Sequence, residues 1–106
     1  MVNPRNADHL RTPKTAVVEG RTLELRSGNI DGVEYAWARL INPDEGDSIW
    51  LEISGDSGVT WIQCGRRTIH VDGRNYTDAQ RTNSSHEVCM RAALQLGPQY
   101  QTGDWC

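Results

Sequence analysis

Hydrophobic and polar residues alternate with a period of two along most of the chain. Residues 48–54 put Ile49, Leu51 and Ile53 on one face and Trp50 and Glu52 on the other, as a strand does. Residues 33–41 send Val33, Tyr35, Trp37 and Ile41 one way and Ala36, Ala38 and Leu40 the other, which predicts a central strand covered on both faces. Shorter runs fall at 15–18, 22–26 (Leu23 and Leu25 together), 59–64, 66–72 (Ile69 and Val71 inward) and 76–81. Turn residues separate them at intervals of about 8–12, including Asn42-Pro43-Asp44-Glu45-Gly46-Asp47 and Asp72-Gly73-Arg74-Asn75. The pattern predicts an all-β domain over residues 15–106, a small antiparallel sandwich or barrel of about seven to eight short strands. Residues 1–14 keep neither period, hold two prolines, and offer Val2, Ala7 and Leu10 as apolar groups; they read as a flexible N-terminal arm.

Residues 84–96 carry two signals. Ser84 and Glu87 fit a capping box, Val88, Ala92 and Leu96 keep helical spacing, and Gly97-Pro98 would stop a helix. The same segment alternates Val88, Met90 and Ala92 against Glu87, Cys89 and Arg91, as a strand would. Both readings stand on local evidence.

The join between the runs at 48–54 and 59–64 is Ser54-Gly55-Asp56-Ser57-Gly58-Val59-Thr60-Trp61. An Asp in a turn accepts hydrogen bonds from nearby backbone N–H groups, and Gly58 supplies the positive φ a tight reversal needs. Thr60 and Trp61 suit the start of a returning strand. The string S-x-D-x-G-x-T-W resembles the Asp-box, a hairpin signature of sialidase-type propellers and of other secreted β-proteins. Ser54, Asp56, Gly58, Thr60 and Trp61 are therefore expected to build a structural turn. A single hairpin is no propeller, so a sialidase is not implied.

Composition narrows the class. At 106 residues the chain is one domain, and with no Phe its core leans on four Trp, three Tyr and the aliphatic residues. Net charge is −3 and no Lys/Arg block appears, which disfavours nucleic acid as a partner. No apolar run reaches the roughly 18–20 residues of a membrane span. One Lys against ten Arg is a compositional flavour of high-GC bacteria. Three cysteines, Cys64, Cys89 and Cys106, show no CxxC spacing. The tail cysteine suggests a staple onto a strand, with Cys89–Cys106 the preferred pairing and Cys64–Cys106 the alternative. A disulfide points to a secreted protein, whose leader would already have been removed.

Four stretches then take on a shared meaning: Gly20-Arg21-Thr22-Leu23-Glu24-Leu25-Arg26, Tyr35-Ala36-Trp37-Ala38-Arg39, Gly46-Asp47-Ser48-Ile49-Trp50-Leu51, and the 54–61 turn. With Met90-Arg91-Ala92-Ala93 and the tail Asp104-Trp105-Cys106, they make residues 20–106 similar to a family of small secreted actinomycete β-proteins. The resemblance implies an all-β domain with a disulfide near its C-terminus, and a strand over 86–94. More faintly, small proteins of this kind resemble the adaptor subunits of umbrella-shaped toxin particles.

Candidate chemistry is sparse. His70 and Cys64 could be imagined as a dyad, although a surface histidine and a buried or bridged cysteine explain them more simply. Asp44, Glu45, Asp47 and Asp56 would suit a hard cation only if two loops met; a solvated turn accounts for them. Neither Glu52 nor Asp72 has a partner carboxylate at a fixed separation, as a glycosidase requires. No catalytic set, cofactor or metal is expected. Trp50, beside Glu52 on the outward register, is a candidate binding aromatic, the competing reading being a core residue in a strand covered on both faces. The chain thus reads as a secreted module that binds rather than catalyses. Its expected partner is another secreted protein, docked through the arm that carries Leu10 and Arg11; the alternative is carbohydrate, held on Trp50 and Glu52.

Overall fold

The computed structural model describes residues 1–70 and 72–106, and the period-two patterning becomes eight strands. One antiparallel sheet contains β1 (Asp8–Val18), β2 (Arg21–Ile30), β3 (Val33–Ile41) and the two-residue β6 (Gln80–Arg81), in the order β1-β2-β3-β6. The other runs β5-β4-β7-β8, from β4 (Ser48–Ser54), β5 (Ile62–Thr68), β7 (Cys89–Gln95) and β8 (Gln99–Gln101). The two sheets face each other as a sandwich. Leu23 and Leu25 of β2, with Ala36, Ala38 and Leu40 of β3, meet Ile49 and Leu51 of β4 and Met90, Ala92 and Leu94 of β7. Alanines opposite large aliphatic groups let the layers approach without leaving voids. Each fully buried Leu or Ile contributes about 1.5–3 kcal/mol by leaving water.

One end of the sandwich is pinned by charge. Arg21, at the start of β2, donates to Asp47 through Nε (2.6 Å to Oδ2) and Nη2 (3.1 Å to Oδ1), and through Nη2 to Asp44 Oδ2 at 2.9 Å. Burial alone would raise the Asp47 carboxyl, but the bonds from Arg21 and from the Asp44 N–H outweigh it and hold it below its ordinary value. The fork ties the sheet containing β2 to the loop that leads into β4.

Three expectations from the sequence are corrected, and one choice left open is decided. Residues 1–14 are not a loose arm: residues 8–14 are the first part of β1, paired to β2 with register shifts between Asp8 and Arg11 and between Arg11 and Lys14. Ahead of it, Val2 pairs with Ala79 (N···O 3.0 and 2.6 Å), and Asn3 caps a 3-10 turn, Pro4–Asn6, whose Pro4 is buried. The bulges and the single, separately used apolar groups explain why no period was visible there. Next, the strands expected at 59–64 and 66–72 are one strand, β5. Gly65 sits at φ 67 opposite a register shift beside Trp50, so the residue that looked like a break is a bulge within the ladder. Val71 lies outside the described residues.

The expected strand at 76–81 shrinks to β6, because 75–77 bonds β3 through irregular partners: Asn75 O accepts from Leu40 N–H, and Thr77 Oγ1 from Ala38 N–H. Of the two readings of 86–96, the strand implied by the resemblance is the one observed, as β7. β7 is paired on both sides, to β4 and β8, and ladder bonding with Met90, Ala92 and Leu94 in the core overrides the local cap signal. Asn83 and Ser85 cap a short turn there instead, accepting from Ser85 N–H (2.8 Å) and Glu87 N–H (3.3 Å).

Candidate functional site

The 54–61 turn is built by its polar side chains. Asp56 accepts from Ser54 Oγ (2.6 Å), from Thr60 N–H (2.9 Å) and from Thr60 Oγ1 (2.6 Å), and Ser54 Oγ in turn accepts from Gly58 N–H at 2.9 Å. These bonds, from the Ser54 hydroxyl first and from Thr60 next, lower the Asp56 carboxyl to about 2. Ser57 (φ 61) and Gly58 (φ 88) make the reversal, and Trp61 Nε1 donates to Gly58 O at 3.1 Å. All five residues singled out in the sequence are therefore turn-builders. The acceptor bonds reach four residues along the chain, further than the one or two expected of an Asp turn.

Trp50 and Glu52 do face away from the core, yet they form no exposed platform. Trp50 is fully buried and Glu52 is 8% exposed. Arg66 lies over the Trp50 ring (4.7 Å to its centroid), and the Trp50 indole N–H donates to Glu52 Oε2 at 2.8 Å. Arg91 donates through Nε to Glu52 Oε1 (2.7 Å) while its guanidinium sits 3.9 Å from the Trp61 ring centroid. Two arginines and a second tryptophan thus roof the residues that a sugar would have to reach. The alternation in the sequence identified the face and could not reveal the cover, which comes from β5, β7 and the turn.

A concave site lies elsewhere, at the end of the sandwich opposite the Arg21–Asp47 pin. It encloses about 530 Å³. The floor is Ile53 at the end of β4 and Met90 at the start of β7; the wall is Gln80, Thr82, Asn83 and Ser84, with Val88 at the side. Gln80 faces inward because its register partner Ala36 is a core residue. Thr82 is fixed to β3, its Oγ1 donating to Glu34 Oε1 (2.9 Å) and its N–H to Glu34 O (3.1 Å). Among the described residues, the side chains of Gln80, Arg81 and Ser84 make no hydrogen bond or ion pair, and so remain available to a ligand.

A smaller hollow of about 100 Å³ continues the cleft to Trp105 and Cys106. That boundary is set by the tail. Met90 and Trp105 exchange backbone bonds of 2.9 Å, and Cys106 is bridged to Cys89, Cα–Cα 4.0 Å, the preferred of the two pairings. Next to Ile53 on the neighbouring strand, its register partner Ile62 (64% exposed) stands in solvent.

The remaining candidates are dispersed. Cys64 packs against the core, and burial pushes its thiol above the ordinary value, the reverse of what an attacking thiolate needs. His70 pairs with Glu45 at 2.9 Å on the surface. Asp44 and Asp47 precede β4 and serve Arg21, whereas Asp56 follows β4, so the two acidic groups do not meet. Arg11 donates to Glu34 at 2.7 Å, and Leu10, 52% exposed, lies on the outer face of the β1–β3 sheet. Among the described residues, no helix is long and apolar enough to cross a membrane. The cleft escaped the sequence reading because three separated segments build it; the polar run Thr82-Asn83-Ser84-Ser85 was the one local hint. Compared with protein-family models, curated proteins and solved structures, the chain matches none.

Proposed function

We propose that the protein is a non-catalytic, extracellular binding module, an adaptor that holds a segment of another secreted protein in the cleft at the open end of its sandwich. The observation that carries the reading is the pairing of an apolar floor, Ile53 and Met90, with unpaired Gln80 and Ser84 side chains in one cleft, edged by Ile62, the exposed register partner of Ile53. An apolar floor takes one or two anchoring side chains, the unpaired amide and hydroxyl groups of Gln80 and Ser84 bond the backbone of the segment, and the rim excludes water. The Cys89–Cys106 bridge fits an oxidising compartment, the same one implied by the resemblance to small secreted actinomycete proteins. Residues 1–14 do not serve as the docking arm in this account, since they belong to the fold.

Affinity capture from culture supernatant followed by mass spectrometry tests the reading, with Ile62→Asp and Ser84→Trp as companions. A partner retained by the unaltered protein and lost from both variants is the expected result. Equal capture by all three removes the cleft from the account. The lining also favours a second reading on its own evidence: neutral Gln80, Thr82, Asn83 and Ser84 side chains next to Trp105 suit the hydroxyls and flat faces of a sugar. Glycan-array binding abolished by Asn83→Ala would select that reading; a blank array would discard it.

A further inference from the structure

The outer face of the β1–β3 sheet holds a charge imbalance that the cleft does not use. Glu24, Arg26, Trp37 and Arg39 share this face, because Leu23, Leu25, Ala36 and Ala38 occupy the inner one. Glu24 is committed to Arg39, whose Nε donates to its Oε1 at 2.6 Å. Arg26 lies on the same strand, and its only hydrogen bond among the described residues is from Nη1 to Thr12 Oγ1 at 2.5 Å. Among the described residues it has no ion pair, and its Nε is buried with no acceptor. A guanidinium carries five N–H donors, and a partly buried one without a counter-ion is costly.

Beside Arg26 is a recess of about 140 Å³, walled by Trp37, Tyr76, Pro4 and Leu10 and edged by Arg5 and Arg39. Arg74 stacks on Tyr76 (4.9 Å) and is bound to Asp78. Three guanidinium groups, Arg5, Arg26 and Arg39, thus border the recess, and of these Arg39 is paired with a carboxylate, Glu24, on a protein whose net charge is −3. Gly28 keeps the recess tight: a Cβ there would come within 3.0 Å of both Asp8 O and Leu10 Cδ2, and 3.1 Å of Trp37 Cη2.

We propose that this recess is a second binding site, one that takes a carboxylate carried on a flat apolar body, its charge paired with Arg26 and its body held between Trp37 and Tyr76. The volume suits one aromatic or branched side chain, and the walls are too apolar for a fully hydrated phosphate. Burial first, and the neighbouring Arg39 second, push Arg26 below its ordinary value, with Glu24 opposing. That direction agrees with a cation short of an anion. The same ligand chemistry is found in a free organic acid and in the C-terminal residue of a peptide.

Proton–nitrogen NMR titration of the intact protein separates these cases. Phenylacetate is added to about 10 mM, with phenylacetamide as its neutral match, and so is an acetylated tripeptide ending in Phe with either a free or an amidated terminus. The expected result is movement of the Trp37 indole and Arg26 Nε–H signals with phenylacetate, and binding at least about tenfold weaker for the amide. In Arg26→Gln, phenylacetate binding falls by about tenfold to a hundredfold. Should that variant lose its dispersed spectrum, the acid–amide comparison on the unaltered protein still decides.

A free-terminus peptide that binds more tightly than phenylacetate assigns the recess to peptide ends, and the reverse order assigns it to small acids; either supports the site. Equal shifts from acid and amide, no shift at Trp37, or shifts confined to Gln80 and Ser84 overturn it. Because the recess and the cleft lie on different surfaces, the failure of one leaves the other standing.

Discussion

Glu52 offers a direct measure of how much the roof over Trp50 stabilises the fold. Its two carboxylate oxygens have separate partners, the Trp50 indole N–H at 2.8 Å and Arg91 Nε at 2.7 Å. In Glu52→Leu the indole of a fully buried ring loses its acceptor, a cost of about 1–3 kcal/mol. Breaking a buried ion pair costs about 3–5 kcal/mol in full, but the Arg91 side chain is 22% exposed and can turn toward water and Asp104, 3.8 Å away. The extra apolar burial of Leu offsets about 1 kcal/mol. The net expectation is a loss of about 3 kcal/mol, a fall in Tm of roughly 12 °C for a domain of this size.

Glu52→Gln keeps one acceptor oxygen and is expected to lose about 1–1.5 kcal/mol. Urea titration with an unchanged m-value is the assay, supported by calorimetry. A Glu52→Leu protein within about 0.5 kcal/mol of the parent, or more stable, would refute the reasoning, since the carboxylate would then do no more than fill space. A cycle with Trp50→Phe should show coupling of about 1 kcal/mol, because that change removes the indole donor and the loss of ring volume, common to both backgrounds, cancels in the cycle.

Three further outcomes follow from the same geometry. Cys106→Ser should lower stability by about 3 kcal/mol, matching the loss from treating the parent with dithiothreitol; an unchanged midpoint on reduction would show that the bridge closes no loop that matters. Asp56 has a folded pKa of about 2 against an ordinary 3.8, so its contribution is complete above 3.8 and disappears as pH falls through 2. Asp47 is lowered too and acts with the same sign. Acid unfolding should therefore steepen below pH 3.8, less so in Asp56→Asn; coincident pH–stability curves would contradict this. Asp47→Asn, which leaves the mostly buried Arg21 with exposed Asp44 as its remaining carboxylate partner, should cost about 2–3 kcal/mol by urea titration, and a cost below about 0.5 would dismiss the pin.

Most of the fold was legible because its central strands obey a simple rule. β2, β3 and β4 sit where one face must be apolar, so Leu23/Leu25, Ala36/Ala38/Leu40 and Ile49/Leu51 announce themselves by spacing alone. Peripheral pieces follow other constraints. Val2 pairs with Ala79 while Pro4 and Leu10 wall the recess beside Trp37, and these separate uses leave no period to read. Gly65 looked like punctuation because a bulge and a turn both call for positive φ. The helix cue at Ser84 and Glu87 was outweighed by two flanking strands that sequence spacing cannot display. Trp50 shows the same limit at the level of function: period two told which way it points, and only Arg66 and Glu52, brought in through other contacts, decide that nothing can touch it.

The kinked outer margin of β1 has a consequence for how copies of this protein behave when crowded. Along that border Pro13 lacks an amide hydrogen, Arg11 and Lys14 add like charge, and the two register shifts bend the backbone away from a straight template. At the far border of the other layer, the Gly65 kink and the neighbouring Arg66 and Arg67 do likewise. Pairing of one chain's edge onto another's is thereby discouraged at these two borders, which works against fibril growth when molecules crowd together.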